Sequence, residues 1–242
     1  MPAHDGRSGM KHVTVIQHNS AEWLGHIEDH FEGRGIRYSY FRPFATGGRV
    51  PDLKLLGDGL VLLGAGPWGG VAGERQLPTF AEEVKLARAC LMTNVPIVGF
   101  GLGASIIAAA GDGSVAGAPL TARIDEATAT EPTALAGFLP DRFPIAVYRR
   151  DMTVLPDYAT ILARDRSGAP AAFALGPRAY GFEGHPGVRR AMFEDLVMEF
   201  EDAPEGVGEV LTEFGRVSKA MEDALVPLMA GLVRALGWQA VA

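Results

Sequence analysis

Thiol chemistry is almost absent from this chain: its 242 residues include one cysteine, Cys90. An internal disulfide is therefore excluded, and a lone thiol spaced with Ala87 and Leu91 reads as a core side chain of a helix. Long apolar runs are missing too. No stretch of 18 apolar residues occurs, so no membrane-spanning helix is predicted. The N-terminal MPAHDGRSGMK has no apolar core of the signal-peptide type; with the missing disulfide, this gives the expectation of a cytoplasmic protein. Clustered positive charge is the third absence. The net charge is −7, and Arg149–Arg150 and Arg189–Arg190 are only short pairs, so neither nucleic acid nor an anionic membrane is an expected partner.

What is present centres on Asn94 to Ala110, NVPIVGFGLGASIIAAA. A buried strand (Val95 to Val98), a glycine-rich turn (Gly99 to Gly103) and a helix opening at Ala104 form a sharp strand-to-helix turn. Ligands of α/β sheets bind beyond the carboxyl ends of the strands, which places the functional site beside Gly101. Upstream, His12 to His18 and Ile36 to Phe41 alternate as strands, with a helix expected between them from about Ser20 to Glu32. Gly59 to Leu63 is a third strand and Thr79 to Met92 a second helix. Strand alternating with helix argues for a doubly wound parallel sheet. After Gly111, short strand candidates between Pro, Gly and Asp turns, Tyr180 to Gly184 among them, predict antiparallel ribbons at the sheet edge. Val188 to Phe200 is a further helix. Two more are expected in the tail, Glu205 to Met221 and Ala224 to Trp238, with Pro227 near the start of the last. The division that follows is 1–10 disordered, 11–202 a single domain and 203–242 a helical extension.

Four stretches of this chain resemble the class I glutamine amidotransferases, in particular those similar to the amidotransferase domain of GMP synthase. VTVIQHNSAEWLGHIEDHFEGRG is similar to the first strand and helix, DGLVLLGAGPWGG to the Gly-Gly-Pro oxyanion loop, and PIVGFGLGASIIAAAGDGSV to the nucleophile elbow. The fourth, ending GFEGHPGV, is similar to the segment closed by G-x-Q-x-H-P-E. The resemblance covers roughly Val13 to Phe200. It implies an α/β fold with an open, doubly wound, mostly parallel sheet of flavodoxin-like type, carrying antiparallel edge strands and the helical C-terminal extension. In that family a cysteine thiolate attacks the glutamine amide, a histidine is its base and a glutamate orients the histidine. By position the cysteine falls on Gly101, the histidine on His185 and the glutamate on Gly187. The glutamine after the nucleophile falls on Ser105, and the one before the histidine on Glu183. The resemblance thus implies a pocket lined by Gly66, Gly101, Leu102 and Ser105, with the oxyanion loop near Gly66 and the Leu102 amide kept. The thiol is lost, and with it the route through a thioester.

Two functional expectations follow. One is a protein that is not a glutaminase and serves as a binding or regulatory partner of a synthetase- or ligase-type enzyme. The other is an enzyme acting on a γ-glutamyl or related small amide, in which Glu183 and His185, two apart on a strand, form a base dyad that activates water. No metal or cofactor is expected. Glu22, His26 and His30 have the i, i+4, i+8 spacing of one helical face, but a solvated face is the commoner meaning of that pattern. GFGLGA also fits a dinucleotide fingerprint with Asp125 downstream, yet it follows the fourth strand rather than the first. In the tail, Leu225, Leu228, Met229, Leu232, Val233 and Leu236 form an apolar face that either packs on the domain or pairs with a second copy.

Overall fold

Residues 10–239 are described by the structure, a computed structural model. The expected disordered stretch 1–10 lies outside them except for Met10. Nine strands form one sheet in the order β2-β1-β3-β4-β11-β10-β9-β6-β7. Its first half is parallel: β2 (Arg37–Phe41), β1 (His12–Ile16), β3 (Gly59–Leu62), β4 (Ile97–Phe100) and β11 (Ala179–Phe182). Its second half is antiparallel: β10 (Pro170–Ala174), β9 (Thr160–Arg164), β6 (Thr121–Ala129) and β7 (Arg142–Arg149). β5 (Ser114–Ala116) and β8 (Met152–Val154) pair as a separate ribbon.

The expectation of a mostly parallel sheet is therefore corrected: the sheet is mixed, with four parallel and four antiparallel neighbour pairs. β11 is also not part of an edge ribbon. It lies in the middle, parallel to β4, with Phe182 opposite Phe100. Its sequence is short and bounded by glycines like the ribbon strands, and only pairing with a distant strand distinguishes it.

The parallel strands are buried on both faces, as their continuous apolar runs require. Val13, Val15, Val61 and Val98 point to one layer, where Ile27 and Phe31 of α1 (His26–Glu32) and Leu225, Leu228 and Leu232 of α6 (Val207–Leu236) meet them. Ile16, Leu60, Leu62 and Ile97 point to the other, against Leu86 and Cys90 of α2 (Phe80–Thr93) and Ile106 and Ile107 of α3 (Leu102–Ala110). Cys90 is buried there, a core thiol as expected. α5 (Arg190–Glu199) packs on the first half of α6, with Phe193 and Phe214 ring centroids 5.7 Å apart. The short α4 (Ala134–Gly137) lies against its second half.

The tail is one 30-residue helix rather than two, with Pro227 inside it. A proline removes one backbone bond and strains the preceding turn, so the sequence suggests a break there. The burial of Leu225, Leu228, Met229, Leu232, Val233 and Leu236 on one side holds the helix together across it. That apolar face is covered by the chain's own core, which removes the reason for assigning it to a second copy. Among the described residues no helix is long and apolar enough to cross a membrane.

Candidate active-site pocket

The parallel pairing of β4 with β11 brings the two halves of the pocket together. Both strands end at the same level, so Gly101 and Glu183 leave them side by side, and Gly101 N–H donates to Phe182 O at 2.9 Å. Gly101 has φ 55° and ψ −120°, a conformation costly for any residue with a side chain and the mark of a sharp strand-to-helix elbow. A Cβ at Gly101 would meet nothing closer than Gly64 Cα at 3.5 Å, so the position has room for a side chain.

The cavity beside it is lined by Glu22, Gly101, Tyr148, Glu183, His185 and apolar side chains including Leu196. Its volume is about 10 Å³, room for one water-sized group. Of the sequence-predicted site residues, Gly101, Glu183 and His185 therefore share one cavity. Ser105 is buried outside it, one turn into α3, with its hydroxyl 2.8 Å from Thr153 Oγ1. Leu102 opens α3, and Gly66 belongs to the loop that follows β3.

Glu183 and His185 do not form the expected dyad. The Glu183 carboxylate pairs with Arg149 at the end of β7. Burial raises its pKa, and the nearby Arg149 guanidinium opposes that rise. His185 is held entirely by main chain. Its Nε2 is 2.8 Å from Trp23 O, and its Nδ1 accepts from Gly187 N–H at 3.2 Å. A carbonyl can only accept and an N–H can only donate, so these contacts dictate a neutral imidazole protonated on Nε2. Burial pushes its pKa down to about 4, in agreement, and its ring stacks on Phe100 at 5.2 Å between centroids. No lone pair is left on His185 for a general base.

Glu22 lines the same cavity, which its helical spacing in the sequence conceals. It falls before α1 rather than on it, because the helix starts at His26. The turn before the helix is built by Asn19, whose Oδ1 accepts from the N–H groups of Ala21 and Glu22 at 2.9 and 2.8 Å. The turn aims Glu22 into the oxyanion loop, where its Oε2 accepts from Gly66 N–H at 2.5 Å and from Asn19 Nδ2 at 3.2 Å. The chain's own carboxylate thus sits on Gly66 N–H, the donor that the resemblance assigns to an oxyanion. The helical-face arrangement of Glu22, His26 and His30 does not exist. Among the described residues no cluster of three or more His, Cys, Asp or Glu is arranged to hold a metal. Asp125, considered for a dinucleotide, lies on β6 near Arg123 and Arg166.

Burial raises the Glu22 pKa to about 7 from 4.5, although the Gly66 and Asn19 hydrogen bonds oppose the rise. Between those values the folded chain keeps a proton that the unfolded chain releases, so stability falls as pH rises through the window. Glu22→Gln abolishes that loss. Its stability relative to wild type is expected to climb by about 3 kcal/mol from the lower to the upper of these pKa values, read from urea midpoints measured across that range.

Beneath the loop lies a second buried network. His18 Nε2 is 2.7 Å from Glu83 Oε2 and its Nδ1 is 3.0 Å from Gly64 O, with both side chains fully enclosed. Two acceptors facing two ring nitrogens require the imidazolium. Burial alone would lower the His18 pKa, but the Glu83 charge and the hydrogen bonds to Glu83 and Gly64 raise it on balance. Thr79 Oγ1 donates to the other Glu83 oxygen at 2.6 Å. From the opposite side the β7–β8 turn fastens the same loop. Arg150 Nε donates to Pro67 O at 2.7 Å, and Asp151 accepts from Gly70 and Val71 N–H at 2.9 and 3.1 Å.

A strand-to-helix elbow, a glycine loop beside it and a histidine at the end of the neighbouring strand invite comparison with solved structures. The fold is that of the glutamine amidotransferases. The chain aligns over 94% of its length with 99% of a glutamine amidotransferase from Thermotoga maritima, at TM-score 0.76 and 21% identity. It aligns over 94% of its length with 96% of one from Methylobacillus flagellatus, at TM-score 0.77 and 21% identity. A proposed GMP synthase subunit from Thermoplasma acidophilum matches 87% of this chain over 98% of its own, at TM-score 0.56 and 20% identity. No family model and no curated protein matches the sequence.

Proposed function

We propose that this chain is a glutamine amidotransferase-like protein of class I type that does not hydrolyse glutamine. On this reading it acts as a binding or regulatory partner of a synthetase- or ligase-type enzyme. The observation that carries the proposal is the state of the pocket: a glycine at the elbow, Glu22 on the oxyanion donor, and space for one water-sized group. The space beside Gly101 is small, and no side chain there is placed to attack a carbonyl. The partner role draws on the structural neighbour that is named as part of a GMP synthase. A non-thiol amide hydrolase using His185 and Glu183 has weaker support, because that mechanism needs the imidazole lone pair that Gly187 N–H occupies.

The test is ammonia release from glutamine and γ-glutamyl amides by the purified chain, alone and with the product of its neighbouring gene. The expected result is no turnover by the chain alone, together with a stable complex. Turnover that disappears in His185→Ala overturns the proposal.

A further inference from the structure

Two polar atoms on the wall of the Gly101 cavity have no hydrogen-bond partner, Glu183 Oε1 and Tyr148 Oη. Their residues are only 4% and 5% exposed. Buried polar atoms in folded proteins are almost always paired, so two orphans on one small cavity point to a ligand. The wall is rich in acceptors and carries two carboxyl groups. Glu22 and Glu183 line it, and His185 is neutral with both nitrogens engaged by main chain. Arg149 offsets Glu183, while the cation nearest Glu22, His18, already belongs to Glu83. Ionised Glu22 therefore has no cation of its own.

We propose that this cavity binds one water-sized cation, ammonium, held by Glu183 Oε1, Tyr148 Oη and the Glu22 carboxylate. The volume limits the ligand to a single heavy atom, and Ala146, Val188, Phe193 and Leu196 close the remaining wall. Ammonium donates up to four hydrogen bonds and brings the missing positive charge, whereas water supplies two donors and no charge. Three acceptor groups fall short of the six to eight oxygens that calcium takes, and of the octahedral shell of magnesium. The site requires no reaction, so it stands or falls independently of whether the chain hydrolyses amides.

The test is thermal unfolding of the full chain in ammonium chloride, against sodium, potassium and methylammonium chloride at equal ionic strength and mildly alkaline pH. Ammonium is expected to raise Tm by about 2–4 °C over sodium at tens of millimolar, with methylammonium excluded by size. Tyr148→Phe removes an unpartnered hydroxyl, so its Tm in sodium chloride is expected to be no lower than wild type, while at least half of the ammonium shift is lost. Glu183→Gln is expected to lose the shift as well. Equal shifts in all salts, a potassium shift matching that of ammonium, or a full ammonium shift in Tyr148→Phe each overturn the proposal.

Discussion

Replacing His18 with alanine is expected to lower the unfolding free energy by about 3–5 kcal/mol, the cost of removing one partner from a buried ion pair. The size follows from what is left behind. Glu83 has no exposed side-chain surface, and without His18 its remaining side-chain partner is Thr79. Gly64 O also loses its donor, so the damage reaches the oxyanion loop. The pH dependence carries a sign. A histidine whose folded pKa is raised above its unfolded value of 6.5 stabilises fully below that value, and the stabilisation is lost as pH rises through the folded pKa. Urea unfolding across neutral to alkaline pH is expected to show this decline in wild type and not in His18→Ala. Equal stability of the two proteins at pH values below the unfolded pKa would show that the pair contributes nothing.

Gly187→Glu, which restores the glutamate that orients the histidine in the resembled family, is expected to destabilise the chain by at least about 3 kcal/mol. A Cβ on Gly187 would lie 2.6 Å from Ile27 Cγ1 and 3.1 Å from Ile27 N. Ile27 is a fully buried residue at the start of α1, and His26 N–H donates to Gly187 O at 2.8 Å. Accepting a side chain there means moving the helix off the sheet, and the carboxylate would also be buried. By contrast, Gly101→Cys meets open space and is expected to cost only the strain of its backbone conformation, about 1–3 kcal/mol. Denaturant midpoints of the two variants measure this asymmetry. The two glycines are thus not equivalent: the space at Gly101 is open, while Ile27 packs over Gly187.

Much of this was legible in the chain because it rests on local pattern. The apolar runs at Leu60 and Ile97, the glycines from Gly99 to Gly103 and the amphipathic spacing of α2 announce their elements without help from distant residues. What escaped depends on partners far away in sequence. β11 becomes a central parallel strand only by pairing with β4, and α6 survives Pro227 only because its apolar face is buried on both sides of that residue. Glu22 was hidden by a helix boundary: helical spacing extends back to Ser20, but the Asn19 turn delays the helix to His26 and redirects the carboxylate into the pocket. Tyr148 and Arg149 gave no signal, since their meaning comes from the β7 register that sets them beside Gly101 and Glu183. The partners of His185 were hidden for a related reason, because Trp23 O and Gly187 N–H reach it through the fold.

On the proposed function the pocket has the elbow and lacks the means to activate a nucleophile. The most direct test of this is the pKa and reactivity of the thiol installed by Gly101→Cys, measured by the pH dependence of alkylation together with glutamine turnover. A thiol near the unperturbed value of about 8.5 or above, with no ammonia released from glutamine, is the predicted result. A thiolate formed well below neutral pH, with turnover lost in Gly101→Cys/His185→Ala, would contradict it.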